Sequence, residues 1–299
     1  MDEGTHEYEG MDMHEDMDMD GKPQTVGELE QALFSVFPRA DMESWDSCGL
    51  QVGERAHAVG RVGVALDFTC ATVKAAADAG CDVLVCHHPP YIKDAPRELG
   101  PAFQPSAPGP GRALFEAAAL GVAVINMHTN LDRSALAREA FADVLGCTCK
   151  ANFEHMFDPS RSYRGTGFGA VLDLPAPTSL AQLAAVCDDA YGGRARVWGD
   201  PDLELERFAY LNGSWRDAGA FQAAVRAGIG CVAVGETGYH TALDAQPHLA
   251  VVELGHDVSE APLVQVLFDE LAGCGYDGED ELVVVGDAAP AWWCAGDGR

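Results

Sequence analysis

Asp82-Val83-Leu84-Val85-Cys86-His87-His88-Pro89-Pro90 is the stretch that decides the fold. Four consecutive apolar residues without polar alternation read as a strand buried on both faces, the signature of a covered parallel sheet. The strand runs straight into two histidines and two prolines, so metal-ligating side chains stand where a sheet ends. On a regular strand, adjacent side chains point to opposite faces. His87 and His88 therefore serve one centre only if the strand has already ended, or else each serves a different metal ion.

The same grammar continues outward on both sides. Upstream, Val26–Phe37 has helical spacing, residues 45–53 (WDSCGLQVG) are turn-rich, 61–68 (RVGVALDF) is strand-like, and Ala71–Ala79 is a helix ended by Gly80. Downstream, a Pro/Gly-rich loop (96–111) precedes a helix at Ala113–Leu120, a strand at Val122–Met127 and a helix at Ala135–Leu145. The second half gives a strand at 168–174, a helix at Leu180–Tyr191 capped by Ser179 or Thr178, and short strands at RARVWG and RFAYLNG. Beyond these lie a helix at Ala218–Ala227, strands at 231–236 and 250–254, a helix at Ser259–Leu271 and a strand at 281–285. Strands alternating with helices predict an α/β fold with mostly parallel sheets and right-handed crossovers.

In such sheets, functional groups collect at the carboxyl ends of strands. Three strand ends carry potential ligands here: His87 and His88, the segment holding Asp132, and the segment holding His256 and Glu260. His256 and Glu260 are four residues apart, so they share a face at a helix entry. Taken singly, a His pair before Pro is commonly a loop, and a His–Glu spacing of four is commonly a helix cap. Their convergence at strand ends points to a divalent-metal centre, and five ligands exceed one tetrahedral site with an open position.

Composition narrows the function. The net charge of −28 opposes binding to nucleic acid or to anionic membranes. Residues 1–22 include nine acidic residues and almost no aliphatic ones besides Met, which predicts a disordered tail. No stretch approaches a membrane span or an export signal, so the expected location is cytoplasmic, with the ten cysteines reduced. No cysteine pair has redox spacing.

The motifs WDSCGLQVG, VLVCHHPP, INMHTNLD (125–132), GTGFG (165–169), GETGYHTALDA (235–245) and ELGHDVSE (253–260) occur in this order. In combination they resemble the GTP cyclohydrolase I type 2 homologue family, the NIF-three-like proteins, from about Val26 to Leu271. The resemblance implies two interlinked α/β lobes and a dinuclear centre with ligands at His87, His88, Asp132, His256 and Glu260. It also implies a ring-shaped homohexamer with the metals facing an internal cavity. The expected division is a tail at 1–22, a first lobe at 23–126 plus 255–290, a second lobe at 127–254, and a C-terminal tail at 291–299.

Departures from the family pattern fall at Asp46-Ser47, where Asp-Asn is usual, and at Leu211-Asn212-Gly213-Ser214-Trp215, where a glycine-rich turn is usual. The inserted domain of longer members is absent between Asp132 and Gly165. Glu236 and His240 are candidate proton-transfer or ligand-orienting groups, the alternative being that Tyr239 and His240 simply begin a helix against the sheet; His128 and Asn130 are candidates for orienting the Asp132 loop, and Asp67 a comparable candidate. The expected function is a hydrolase using two divalent ions per chain (Zn, Mn, Fe or Co), acting on a nucleotide or related small molecule with a metal-activated water. The alternative is a metal-binding or protein-interaction scaffold without turnover.

Overall fold

The computed structural model describes residues 21–91, 106, 109–160, 165–192, 195–216 and 218–286. The expected tails, apart from Gly21 and Lys22, and most of the Pro/Gly-rich loop lie outside these residues. The helices are α1 (Val26–Val36), α2 (Cys70–Asp78), α3 (Gly111–Leu120), α4 (Thr129–Asp132), α5 (Ala135–Val144), α6 (Leu180–Tyr191), α7 (Ala218–Arg226), α8 (Tyr239–Ala245) and α9 (His256–Gly273). The strands are β1 (Gly49–Val52), β2 (Val62–Ala65), β3 (Val83–Cys86), β4 (Ala123–Asn126), β5 (Thr148–Asn152) and β6 (Ala170–Ser179). They continue as β7 (Arg196–Trp198), β8 (Glu204–Ser214), β9 (Cys231–Glu236), β10 (Ala250–Glu253) and β11 (Leu282–Val284).

Two sheets form, ordered β1-β4-β3-β2-β11 and β5-β6-β8-β9-β10-β7. In the first, β4, β3, β2 and β11 run parallel and β1 is an antiparallel edge. The second is mixed. Its β8-β9-β10 centre is parallel, while β5, β6 and β7 pair antiparallel. The alternation of strand and helix suggests more parallel pairing there than exists. Helix α6 delivers the chain to β7 at the far edge, and β8 then returns between β6 and β9 to meet β6 head to tail.

Local chemistry explains the element ends. Thr25 and Ser179 each close a capping box, with Glu28 and Gln182 respectively, satisfying amide groups a helix start leaves open. Of the two caps considered for α6, Ser179 is the one used. Gly121 stops α3 in the left-handed region (φ 74°), where a side chain would be strained.

The two sheets share one core. Val64, Val85 and Ile125 of the first sheet and Leu172, Tyr210 and Val252 of the second join a single buried cluster. Helices α1, α5, α6 and α9 contribute Leu33, Phe141, Leu183 and Leu267 to it. Separate clusters cover the outer faces, Val73 of α2 and Ala117 of α3 on the first sheet, Phe221 and Ala224 of α7 on the second. Both faces are therefore covered at the centre of each sheet, which is why β2, β3, β4 and β10 are fully buried runs rather than alternating ones. Among the described residues no helix is long and apolar enough to cross a membrane.

Two strands escape a reading of the sequence. β1 lies in the segment read as turn-rich, and β5 (TCKAN) carries no apolar alternation because it is an exposed edge. α9 starts at His256, three residues before the expected Ser259. Gly255 makes that possible, since its φ of 123° turns the chain and its carbonyl accepts from Ser259 N (3.1 Å).

Candidate metal centre

The end of β3 resolves how adjacent histidines can meet. His87 N donates to Ala65 O and His88 N to Leu66 O, at 3.2 and 2.9 Å. Successive amides of a regular strand point to opposite edges, so two in a row donating to the same neighbour means the strand has turned. The rings consequently stand 4.9 Å apart, centroid to centroid. Asp132 arrives from the short helix α4 after β4, and His256 and Glu260 from the first turns of α9 after β10. All five sequence-identified ligand candidates thus meet in one place.

They meet as two groups that share a residue. His87, Asp132 and Glu260 form one set with mutually close ligand atoms, and His88, His256 and Glu260 the other. Glu260 Oε1 faces His87 Nε2 at 3.8 Å, and Oε2 lies 2.8 Å from His88 Nε2 and 3.1 Å from His256 Nε2. His87 gives the clearest test of what belongs there. Its Nδ1 donates to Met127 O (2.9 Å), which leaves Nε2 as the acceptor. That Nε2 is buried without a hydrogen-bond partner, 3.5 Å from Asp132 Oδ1. Three lone-pair atoms converging in a buried space need a cation between them, so these residues fit a divalent metal ion.

Supporting groups fix each ring from behind. Asp67 Oδ1 accepts from His88 Nδ1 (2.8 Å), and Glu236 Oε1 lies 3.5 Å from His256 Nδ1. Asn212, at the end of β8, donates through Nδ2 to both Asp132 Oδ1 (2.6 Å) and Glu260 Oε1 (3.2 Å). Next to it, Gly213 has φ 65°, and a Cβ there would collide with Glu260 Oε1. Ser259 Oγ accepts from Gly213 N (3.0 Å), tying the start of α9 to this turn.

Charge is distributed unevenly among these side chains. Burial opposes the charge of Glu260, but hydrogen bonds from His256 and His88 prevail and hold it well below the ordinary carboxylate range. Burial, with Glu260 close by, pushes Asp132 up. Burial works against the His88 cation, yet Asp67 and Glu260 on its two nitrogens push its pKa up to about 10. At neutral pH His88 is therefore an imidazolium held between two carboxylates, and a metal ion must displace its proton. We predict that metal uptake releases protons and that apparent affinity rises with pH across about pH 6 to 9, still short of the His88 pKa. Titration calorimetry in buffers of different ionisation enthalpy checks this; affinity unchanged over that range contradicts it.

Of the two candidate proton-transfer residues, the structure brings Glu236 beside His256 but leaves His240 exposed on α8, its ring contact being with Tyr239. His128 and Asn130 do organise the Asp132 loop. Asn130 Nδ2 donates to Phe37 O (2.6 Å), and Asn130 Oδ1 accepts from His128 N (3.0 Å). In the sequence Asn212 is marked only by a departure from the family pattern and Asp46 only by the departure next to it at Ser47, although a polar residue with glycine at a strand end is a usable signal for Asn212. On the His88–His256 side the centre borders an open cavity of about 500 Å³ lined by Asp67, Phe68, Pro89, Pro90 and Tyr91.

Fold and cluster together define an α/β protein with a histidine–carboxylate cluster that could hold a metal ion. The chain belongs to the Duf34/NIF3 (NGG1p interacting factor 3) family, whose profile matches residues 24–285. It is 27% identical over 252 residues to a protein of Clostridium acetobutylicum named GTP cyclohydrolase 1 type 2 homolog, covering 83% of this chain and 90% of that one. A Streptomyces coelicolor protein of the same name is 29% identical over 244 residues, 79% of this chain and 82% of its own. Among solved structures, a hypothetical protein of Staphylococcus aureus superposes with a TM-score of 0.74 at 20% identity, covering 91% of this chain and all of that one. A Bacillus cereus protein related to NIF3 gives 0.74 at 18%, covering 92% of this chain and all of its own. These structural likenesses establish the fold.

Proposed function

We propose that the chain is a hydrolase dependent on two divalent metal ions, acting on a nucleotide or related small molecule as the names of its relatives suggest. The observation that carries this is Glu260, whose two carboxylate oxygens face two different ligand sets. The cavity beside His88 and His256 supports a site open to a substrate rather than a closed structural one.

In this reading His87 and Asp132 would hold one ion and His88 and His256 the other, with Glu260 a ligand available to both. Two such ions would lower the pKa of a shared water and polarise the bond under attack. The chain's own part is to keep every Nε2 pointed inward. The Met127 carbonyl and Asp67 hold the Nδ1 protons of His87 and His88, and Glu236 stands behind His256. Asn212 orients the two carboxylates. Phe68, Pro90 and Tyr91 supply an apolar wall against which a planar ring can rest. A ring-shaped homohexamer, carried from the resemblance, is part of the same proposal; light scattering should give six times the 31.7 kDa chain mass.

The test is metal content by elemental mass spectrometry on protein purified anaerobically without chelator, beside His256→Ala. About two ions per chain, falling sharply in the variant, support the centre. Formate release from GTP, or hydrolysis of other nucleotides, lost in the same variant, then supports the enzyme. Metal without turnover on any of these returns the chain to the scaffold reading, and no uptake of added Zn, Mn or Fe removes the centre itself.

A further inference from the structure

A fourth histidine stands at this centre and is not among the five ligands the resemblance implies. His128 precedes α4, is 8% exposed, and its ring lies 5.2 Å from that of His87 and 5.7 Å from that of His88. The three histidines offer ligand atoms all within 4.8 Å of one another. We propose that His128 is a direct ligand through Nε2, adding a fourth imidazole to the centre beside His87 and His88, and that this nitrogen-rich set selects a borderline transition ion over Mg or Ca.

The argument rests on how the ring is held. His87 and His88 each have Nδ1 tied to an oxygen on the outer side, which leaves Nε2 to the interior. His128 repeats the pattern, with Nδ1 donating to Asp46 Oδ1 at 2.9 Å. Asp46 is itself locked in place. Its side chain is fully buried, and it also accepts from Ser47 N, Thr129 N and Thr129 Oγ1. This buried carboxylate, held by these four hydrogen bonds, receives the His128 Nδ1 proton, and the Trp45 and His128 rings stand in a T-shaped pair with centroids 6.1 Å apart. A carboxylate behind an imidazole is the arrangement that orients histidine ligands and raises their basicity. Imidazole ligands favour Zn, Co or Fe, whereas Mg and Ca favour oxygen.

This rests on the metal-centre reading above, and the experiment separates the two. Full-length wild type, His128→Ala and Asp46→Asn are loaded with Co(II), and visible absorption, Co(II) affinity and uptake from an equimolar Zn and Mg mixture are measured. Loss of an imidazole should shift and change the intensity of the Co(II) bands. Affinity should fall at least about tenfold in His128→Ala, with a smaller fall of the same sign in Asp46→Asn. Zn preference over Mg should narrow in both. Unaltered bands and affinity in a folded His128→Ala overturn the role of His128 while leaving the five-residue centre standing. Should His128→Ala not fold, Asp46→Asn decides alone: Co(II) bands and affinity identical to wild type overturn the proposal. Wild type that takes up no Co(II) overturns the centre and this proposal together.

Discussion

Glu260→Gln should weaken binding at both halves of the centre, lowering affinity for each ion by more than about a hundredfold. Changes to groups merely behind a ligand typically reduce metal affinity 10- to 100-fold, so losing a carboxylate shared by two sites must exceed that. Gln keeps the volume and one acceptor for Asn212 Nδ2, so the fold should persist. It removes the negative charge that lies within 3.1 Å of both His88 and His256. Elemental analysis beside calorimetry checks the result. A variant that loses one ion and keeps the other would show that Glu260 serves a single site. His256→Ala should leave more behind, because the His87–Asp132–Glu260 set stays whole.

The second large effect lies one residue past Asp132. Arg133 is buried, with Nη2 3.1 Å from Glu154 Oε2 and Nη1 3.2 Å from Glu43 Oε1, and its guanidinium lies 5.1 Å from the ring centre of Phe168. Its carbonyl accepts from Gly167 N and Arg138 Nη1, so it binds the Asp132 loop to the GTGFG turn. Arg133→Met should destabilise the protein by about 3–5 kcal/mol, because it takes one buried partner out of the Arg133–Glu154 ion pair. Urea unfolding of metal-free protein measures it, with the midpoint falling at constant m-value. A loss below about 1 kcal/mol would mean Glu154 takes a proton or turns to water at little expense. The additional double variant Arg133→Met with Glu154→Gln should recover part of the loss, since replacing both partners costs less than stranding one.

Most ligand positions were legible because they rest on local grammar. A buried strand such as VLVC announces itself by composition, and the residues just after it must lie at a sheet end. Gly255 before a His–Glu spacing of four announces a helix entry. The residues less legible are those whose role comes from a partner far away in the chain. Asp46 reaches His128 across 82 positions, and Asn212 reaches Asp132 across 80. No periodicity encodes such a pairing. β5 escapes for a related reason, since an exposed edge strand has no apolar pattern to display.

By itself the sequence determined an α/β chain, its dry strands, and a set of histidines and carboxylates at strand ends. Those are consequences of local hydrophobic pattern and turn chemistry, which act over a few residues. The tertiary structure decided that the second sheet is mixed, that both sheets share one core around α9, and that Glu260 faces two ligand sets at once. It also placed Glu236 beside His256, left His240 in solvent, and set Asp46 behind His128. Each of these depends on which distant segments are buried against one another, and burial is a property of the packed chain as a whole.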